Sequence, residues 1–233
     1  MNDLSEVKHV GVLMLETRFP RLVGDIGNPE TFEFPVTYRT VEGASPARVV
    51  KEQSLELLEP FINDARRLVE EGADLITTSC GFLYMFQSAL SKAVDVPVIA
   101  SSLLLLNELE GIYGKSKVGI LTISRSSLSP QFRAHVGISD DVPIGSTEGG
   151  NEFSNAILEN RSSFDVERCR QDNVSAAKEL VKHNPDIRAV LLECTNMPPY
   201  SSAISEATDL PVYSINTLLR RRVQGIGLDD EPF

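Results

Sequence analysis

Apolar residues along the chain fall into short unbroken runs separated by longer stretches of helical periodicity. The run "HVGVLML" at 9–15 is near-continuously apolar and bounded by polar residues. A strand covered on both faces of a parallel sheet reads this way. "DLITTS" (74–79), "VPVIAS" (96–101), "KVGILTI" (117–123), "VPIGS" (142–146), "RAVLLEC" (188–194) and "LPVYSI" (210–215) repeat the pattern. Between them lie helical patterns. Residues 47–71 place Val49, Val50, Leu57, Leu58, Phe61, Ile62, Ala65 and Leu68 on one face, with Pro60 expected to kink or split the helix. Further helices are expected over 82–94, 103–114, 128–136, 151–183 (broken near 162–165), 199–208 and 216–227. Residues 16–46 read mostly as loop, with a short strand at "FPVTYRT". Alternation of strand and helix throughout predicts an α/β class with parallel sheet.

The pattern occurs twice. "VGVL" at 10–13 returns as "VGIL" at 118–121, "TVEG" at 40–43 as "STEG" at 146–149, and "VPV" at 96–98 as "LPV" at 210–212. Cys80 is echoed by Cys194, and each precedes its strand landmark by 16 residues. Aligned without gaps, 80–105 and 194–219 share ten identical residues of 26. The repeat predicts a duplicated lobe: residues 1–101 form one lobe, 102–214 the other, and 215–233 pack back onto the first.

Composition narrows the partners. Lys+Arg 22 against Asp+Glu 33 leaves a net charge of −11, which argues against nucleic acid. No apolar stretch is long enough for a membrane span, and the N-terminus does not resemble a signal peptide, so a cytoplasmic location is expected. The three cysteines and three histidines are scattered, so neither a disulfide framework nor a metal site is expected. No phosphate-binding glycine motif, HExxH or GxSxG occurs, and no cofactor is expected. The expected partner is a small molecule, with a homo-oligomer left open.

The cysteines carry the candidate chemistry. Either alone reads as a small buried hydrophobe. As a matched pair, each ends a strand and precedes a helix, which puts both at the carboxyl edge where α/β sheets bind ligands. A helix N-terminus is expected to lower a thiol pKa there. Two lobes facing each other would set the thiols on opposite walls of one cleft, one removing a proton from a carbon and the other returning it. Strand alternation turns Glu193 away from that cleft. Thr17, Arg18 and Arg21 follow the first strand, where a cation can meet a carboxylate or simply face solvent. Cys169, in the charged stretch "VERCRQ", reads as structural.

The twin motifs "TTSCGF" and "ECTNMP" resemble the aspartate/glutamate racemase superfamily, over nearly the whole chain. The resemblance implies two flavodoxin-like lobes around a cleft and cofactor-independent chemistry. It implies a racemase or epimerase acting on an amino acid, a related carboxylate or a hydantoin, with Cys80 and Cys194 as the two bases. Gly81, Phe82, Thr195 and Asn196 would bind the carboxylate, with Thr17 and Arg18 beside them. Asn196 stands where glutamate racemases carry histidine, which counts against glutamate as substrate. A one-cysteine cis–trans isomerase or decarboxylase of a dicarboxylate, or a binding module without turnover, is the alternative.

Overall fold

The computed structural model describes residues 7–225. It contains two four-stranded parallel sheets. The first holds β1 (Val10–Met14), β2 (Val36–Thr40), β3 (Leu75–Thr78) and β4 (Val98–Ile99), in the order β2-β1-β3-β4. The second holds β5 (Val118–Thr122), β6 (Ile144–Ser146), β7 (Ala189–Leu192) and β8 (Val212–Tyr213), in the order β6-β5-β7-β8. The two orders are the same once each strand is matched to its counterpart. Register matches too: Leu13 pairs with Thr78 in one sheet, and Leu121 with Leu192 in the other. The strand expected at "FPVTYRT" is β2, paired in parallel with β1.

Helices cover the sheets. α1 (Leu58–Glu70) buries Phe61, Ile62, Ala65 and Leu68, one face of a 3.6-residue period. Pro60 does not break it. It lies in the first helical turn, where its missing N–H would have no partner. The interruption falls upstream, at Gln53 with φ 48°, between a wide turn at Ala47–Lys51 and α1. α2 (Gln87–Ala93) and α3 (Leu106–Tyr113) are each entered through a 3₁₀ turn. α4 (Pro130–Val136) is capped by Ser129, whose hydroxyl accepts the Phe132 N–H. α5 (Phe153–Leu158) and α6 (Val166–His183) are separated by the expected break, and α7 (Ser201–Thr208) leads into β8.

α8 (Ile215–Gln224) returns to the first sheet: Ile215 and Leu219 pack with Val10, Val12, Met14, Leu75 and Ile99. The part of the expected return beyond 225, including "LDDEPF", lies outside the described residues. The main core is continuous across both sheets, from Leu13 and Ile76 to Leu121 and Leu191. Among the described residues, no helix is long and apolar enough to cross a membrane.

Candidate active site

β3 ends at Thr78 and β7 at Leu192, so Cys80 and Cys194 each lie two residues past equivalent strands. Both thiols line one cavity between the lobes, together with Leu15, Phe19, Arg21, Phe82, Glu193 and Asn196. The cavity is narrow. Its free volume of about 20 Å³ has room for roughly one water. Cys80 and Cys194 are 8% and 7% exposed. The duplicated pattern in the sequence thus brings the two cysteines together, and Cys169 is buried in α6 outside this cavity.

A polar chain orients Cys194. Its thiol donates to Asn196 Oδ1 at 3.6 Å, and Asn196 Nδ2 donates to Asp25 Oδ2 at 2.6 Å. Arg21 Nη1 donates to Asp25 Oδ1 at 2.9 Å, while Arg21 Nη2 donates to Thr17 Oγ1 at 2.9 Å. Thr17 therefore holds Arg21 in place. Arg21, not Arg18, is the cation at the cavity. Arg18 is exposed, and its backbone N–H binds Asn160 Oδ1 at 2.7 Å. The difference is loop geometry: the turn at 20–25 brings Arg21 inward onto the Phe19 ring, with the guanidinium 4.6 Å from its centroid.

The residues beside the cysteines also have set partners. Thr195 Oγ1 donates to the Ser79 carbonyl at 2.7 Å, tying lobe to lobe. The Phe82 ring is fully buried and packs on Phe132 at 5.2 Å, and Phe82 also lines the cavity. Gly81 is required by close approach. A Cβ there would stand 2.2 Å from the Glu193 carbonyl oxygen and 2.3 Å from Glu193 Oε1.

Glu193 lines the cavity, contrary to the alternation expected of a strand residue. It lies one residue past β7, where pleating no longer dictates direction. Thr122 Oγ1 donates to its Oε2 at 2.8 Å, and Oε1 has no hydrogen-bond partner. Burial pushes the carboxyl up to about 7, against the lowering effect of Thr122 and the Ile123 N–H.

The thiols are raised as well. Burial, then the nearby Glu193 charge, pushes Cys80 up to about 12, although the Phe82 and Leu83 N–H groups and Arg21 oppose this. Cys194 is pushed well above its ordinary value by the same two causes. The expected lowering by a helix N-terminus is therefore overturned: desolvation outweighs the few N–H groups facing each sulfur. Among the described residues, no group of three or more His, Cys, Asp or Glu is placed to hold a metal ion.

Sequence reasoning missed Asp25 and mis-aimed Glu193. The available signals were a lone carboxylate inside the turn-forming "GDIGNP" and a carboxylate directly before the cysteine in "LLEC".

Comparison with known proteins adds fold and kinship. The architecture is that of the aspartate/glutamate racemase superfamily. An arylmalonate decarboxylase structure superposes with a TM-score of 0.59 at 15% identity, covering 93% of this chain and 91% of its own. An aspartate racemase homologue from Pyrococcus horikoshii superposes with a TM-score of 0.56 at 13% identity, covering 96% and 100%. No family model matches the chain. By sequence, it is 32% identical over 216 residues to a dimethylsulfoniopropionate lyase of Durusdinium sp. clade D, covering 89% of this chain and 72% of the relative. It is 32% identical over 222 residues to dimethylsulfoniopropionate lyase 7 of Emiliania huxleyi, covering 91% of this chain and 65% of the relative. These relatives are lyases. They overturn the expected racemase or epimerase, its isomerase class and its amino-acid or hydantoin substrates, together with the alternatives set beside it. The chain belongs to the dimethylsulfoniopropionate lyase family.

Proposed function

We propose that this chain cleaves dimethylsulfoniopropionate, or a close sulfonium carboxylate, by β-elimination. The supporting observation is its kinship to a lyase of that substrate over 89% of its length, together with two thiols on one narrow cavity. The substrate has a carboxylate at one end and a sulfonium at the other, two carbons apart. A base removes a proton from the carbon next to the carboxylate. The freed pair forms the carbon–carbon double bond as the carbon–sulfur bond breaks, and dimethyl sulfide leaves with the bonding electrons. Acrylate, dimethyl sulfide and a proton on the base result.

Cys80 and Cys194 form the proton-handling pair in this reading. Elimination needs one base, so one sulfur works as thiolate while the other stays a thiol. A free thiol at this depth is hard to ionise, in keeping with the upward shifts of both. The positive sulfonium entering the cavity favours the thiolate, because an opposite charge within a few ångströms lowers a pKa. Developing negative charge beside Cys80 falls near the Phe82 N–H, which faces that sulfur. Preorganised donors of this kind are commonly the largest catalytic contribution.

The test is headspace detection of dimethyl sulfide from purified protein with dimethylsulfoniopropionate, for the wild type and for Cys80→Ser and Cys194→Ser. At least one variant is expected to lose more than about 100-fold in rate, the scale of a removed general base. Full activity in both variants would remove the thiols from the mechanism. No release by the wild type, with either this substrate or its close sulfonium analogues, would remove the proposed reaction.

A further inference from the structure

The two lobes differ at one telling position. Ser79 and Glu193 are equivalents: the Ser79 N–H binds the Leu13 carbonyl at 3.0 Å, and the Glu193 N–H binds the Leu121 carbonyl at 2.9 Å. Their side chains also face equivalent backbone donors. Ser79 Oγ accepts the Leu15 N–H at 2.8 Å, and the Glu193 carboxylate faces the Ile123 N–H. A hydroxyl suffices for that task in the first lobe. In the second lobe the chain places a carboxylate with an oxygen to spare.

That spare oxygen, Oε1, is without a partner, and its residue is 1% exposed. It stands over Gly81, the one residue small enough to admit it. A buried carboxylate oxygen without a partner is costly, and a ligand that neutralises it recovers the cost. The other polar cavity residues do not. Arg21 is taken by Asp25 and Thr17, and Asn196 by Asp25 and Cys194. Among the cavity walls that Glu193 shares are the apolar and aromatic Leu15, Phe19, Phe82 and Ile157. A carboxylate among aromatic and aliphatic walls suits an onium group, which has positive charge but no hydrogen-bond donors.

We propose that Glu193 is the counter-ion for the positively charged onium end of the ligand. The identification of the onium as a sulfonium rests on the proposed lyase reaction; the preference for a cation does not. Because the sulfonium loses its charge as the carbon–sulfur bond breaks, this contact is stronger in the bound substrate than in the transition state. It therefore contributes to affinity rather than to rate.

The test compares two unreactive ligands of the same shape: 3-(trimethylammonio)propionate, which is cationic at that end, and 4,4-dimethylpentanoate, its neutral counterpart. Binding to wild type, Glu193→Gln and Glu193→Ser is measured by calorimetry, the serine variant reproducing the first lobe. Wild type is expected to prefer the cationic ligand by about ten-fold or more, and both variants to lose that preference without weaker binding of the neutral one. Dimethylsulfoniopropionate turnover by the variants is expected to show a raised KM.

A preference retained in the variants, no preference or no binding in the wild type, or a collapse of kcat with the preference intact would each overturn the assignment. Wild type that prefers the cation through Glu193 yet releases no dimethyl sulfide would overturn the reaction and leave the counter-ion in place. Wild type that releases dimethyl sulfide with a preference indifferent to Glu193 would do the reverse.

Discussion

The Thr195 hydroxyl reaches across the cleft and donates to the Ser79 carbonyl at 2.7 Å, joining the residue after one cysteine to the residue before the other. The bond is buried on both sides. Thr195→Val keeps the shape and removes the donor, leaving a buried carbonyl without it. A loss of about 1–3 kcal/mol is expected, read as a lower urea midpoint with unchanged m-value. Wild-type stability in this variant would show that the cross-lobe bond contributes nothing.

The raised thiols set the pH dependence. A thiol pushed up to about 12, as Cys80 is, is almost wholly protonated in the free protein near neutrality. Below its pKa the thiolate fraction grows ten-fold per pH unit. The kcat/KM for dimethyl sulfide release reports the free protein, so its logarithm is expected to climb with a slope near one from about pH 7 to 9. A plateau reached below pH 8 would mean that the working base is not one of these thiols.

Glu193 has the opposite effect on stability. Its carboxyl rises from 4.5 to about 7 in the folded protein. Below 4.5 both folded and unfolded states are protonated and nothing is lost. Between 4.5 and 7 the folded state holds the proton that the unfolded chain has released, so stability falls as pH rises, and the loss is complete above 7. The shift of 2.5 pH units, 7 minus 4.5, corresponds to about 3 kcal/mol. Glu193→Gln is therefore expected to gain on wild type by roughly that order between pH 4.5 and 7.5, measured as the difference in unfolding free energy. A constant difference across that range would contradict the burial of an unpaired carboxylate.

Arg21 and Arg18 are expected to behave differently despite lying three residues apart. Arg21→Ala strands Asp25, which is 3% exposed and holds the amide that orients Cys194. Removing one partner of a buried pair costs about 3–5 kcal/mol, and loss of activity should accompany it. Arg18→Ala, on an exposed side chain, should stay within about 0.5 kcal/mol and keep its turnover. Thermal unfolding and dimethyl sulfide release on the two variants separate these outcomes.

The duplicated architecture was legible because burial on both faces leaves no polar alternation in β1, β3, β5 and β7. The 16-residue interval from Cys80 and from Cys194 then fixes equivalent places at the sheet edge. Asp25, and the choice of Arg21 over Arg18 as the inward cation, were not legible, since their positions depend on how a proline- and glycine-rich loop folds back. Glu193 was misread because an alternation rule was carried one residue past the end of β7. The reaction was misread for a chemical reason. Removing a proton beside a carboxylate is common to racemisation and elimination. The fate of the resulting electron pair depends on whether the next carbon carries a leaving group. In the proposed reaction, the twin cysteines bear on the first step and not on the second.

A chamber with room for about one water cannot take in a zwitterion the length of dimethylsulfoniopropionate while its walls stay together. Those walls belong to different sheets, fastened by Thr195 to Ser79, Ser102 to the Leu192 carbonyl at 2.6 Å, and Gln53 to the Ser127 carbonyl at 2.8 Å. In the proposed reaction, admission and release of a ligand of that length would strain or part some of these fasteners. Substitutions that tighten the seam should slow the arrival of substrate even as they raise the melting temperature, so durability and throughput compete for the same few hydrogen bonds.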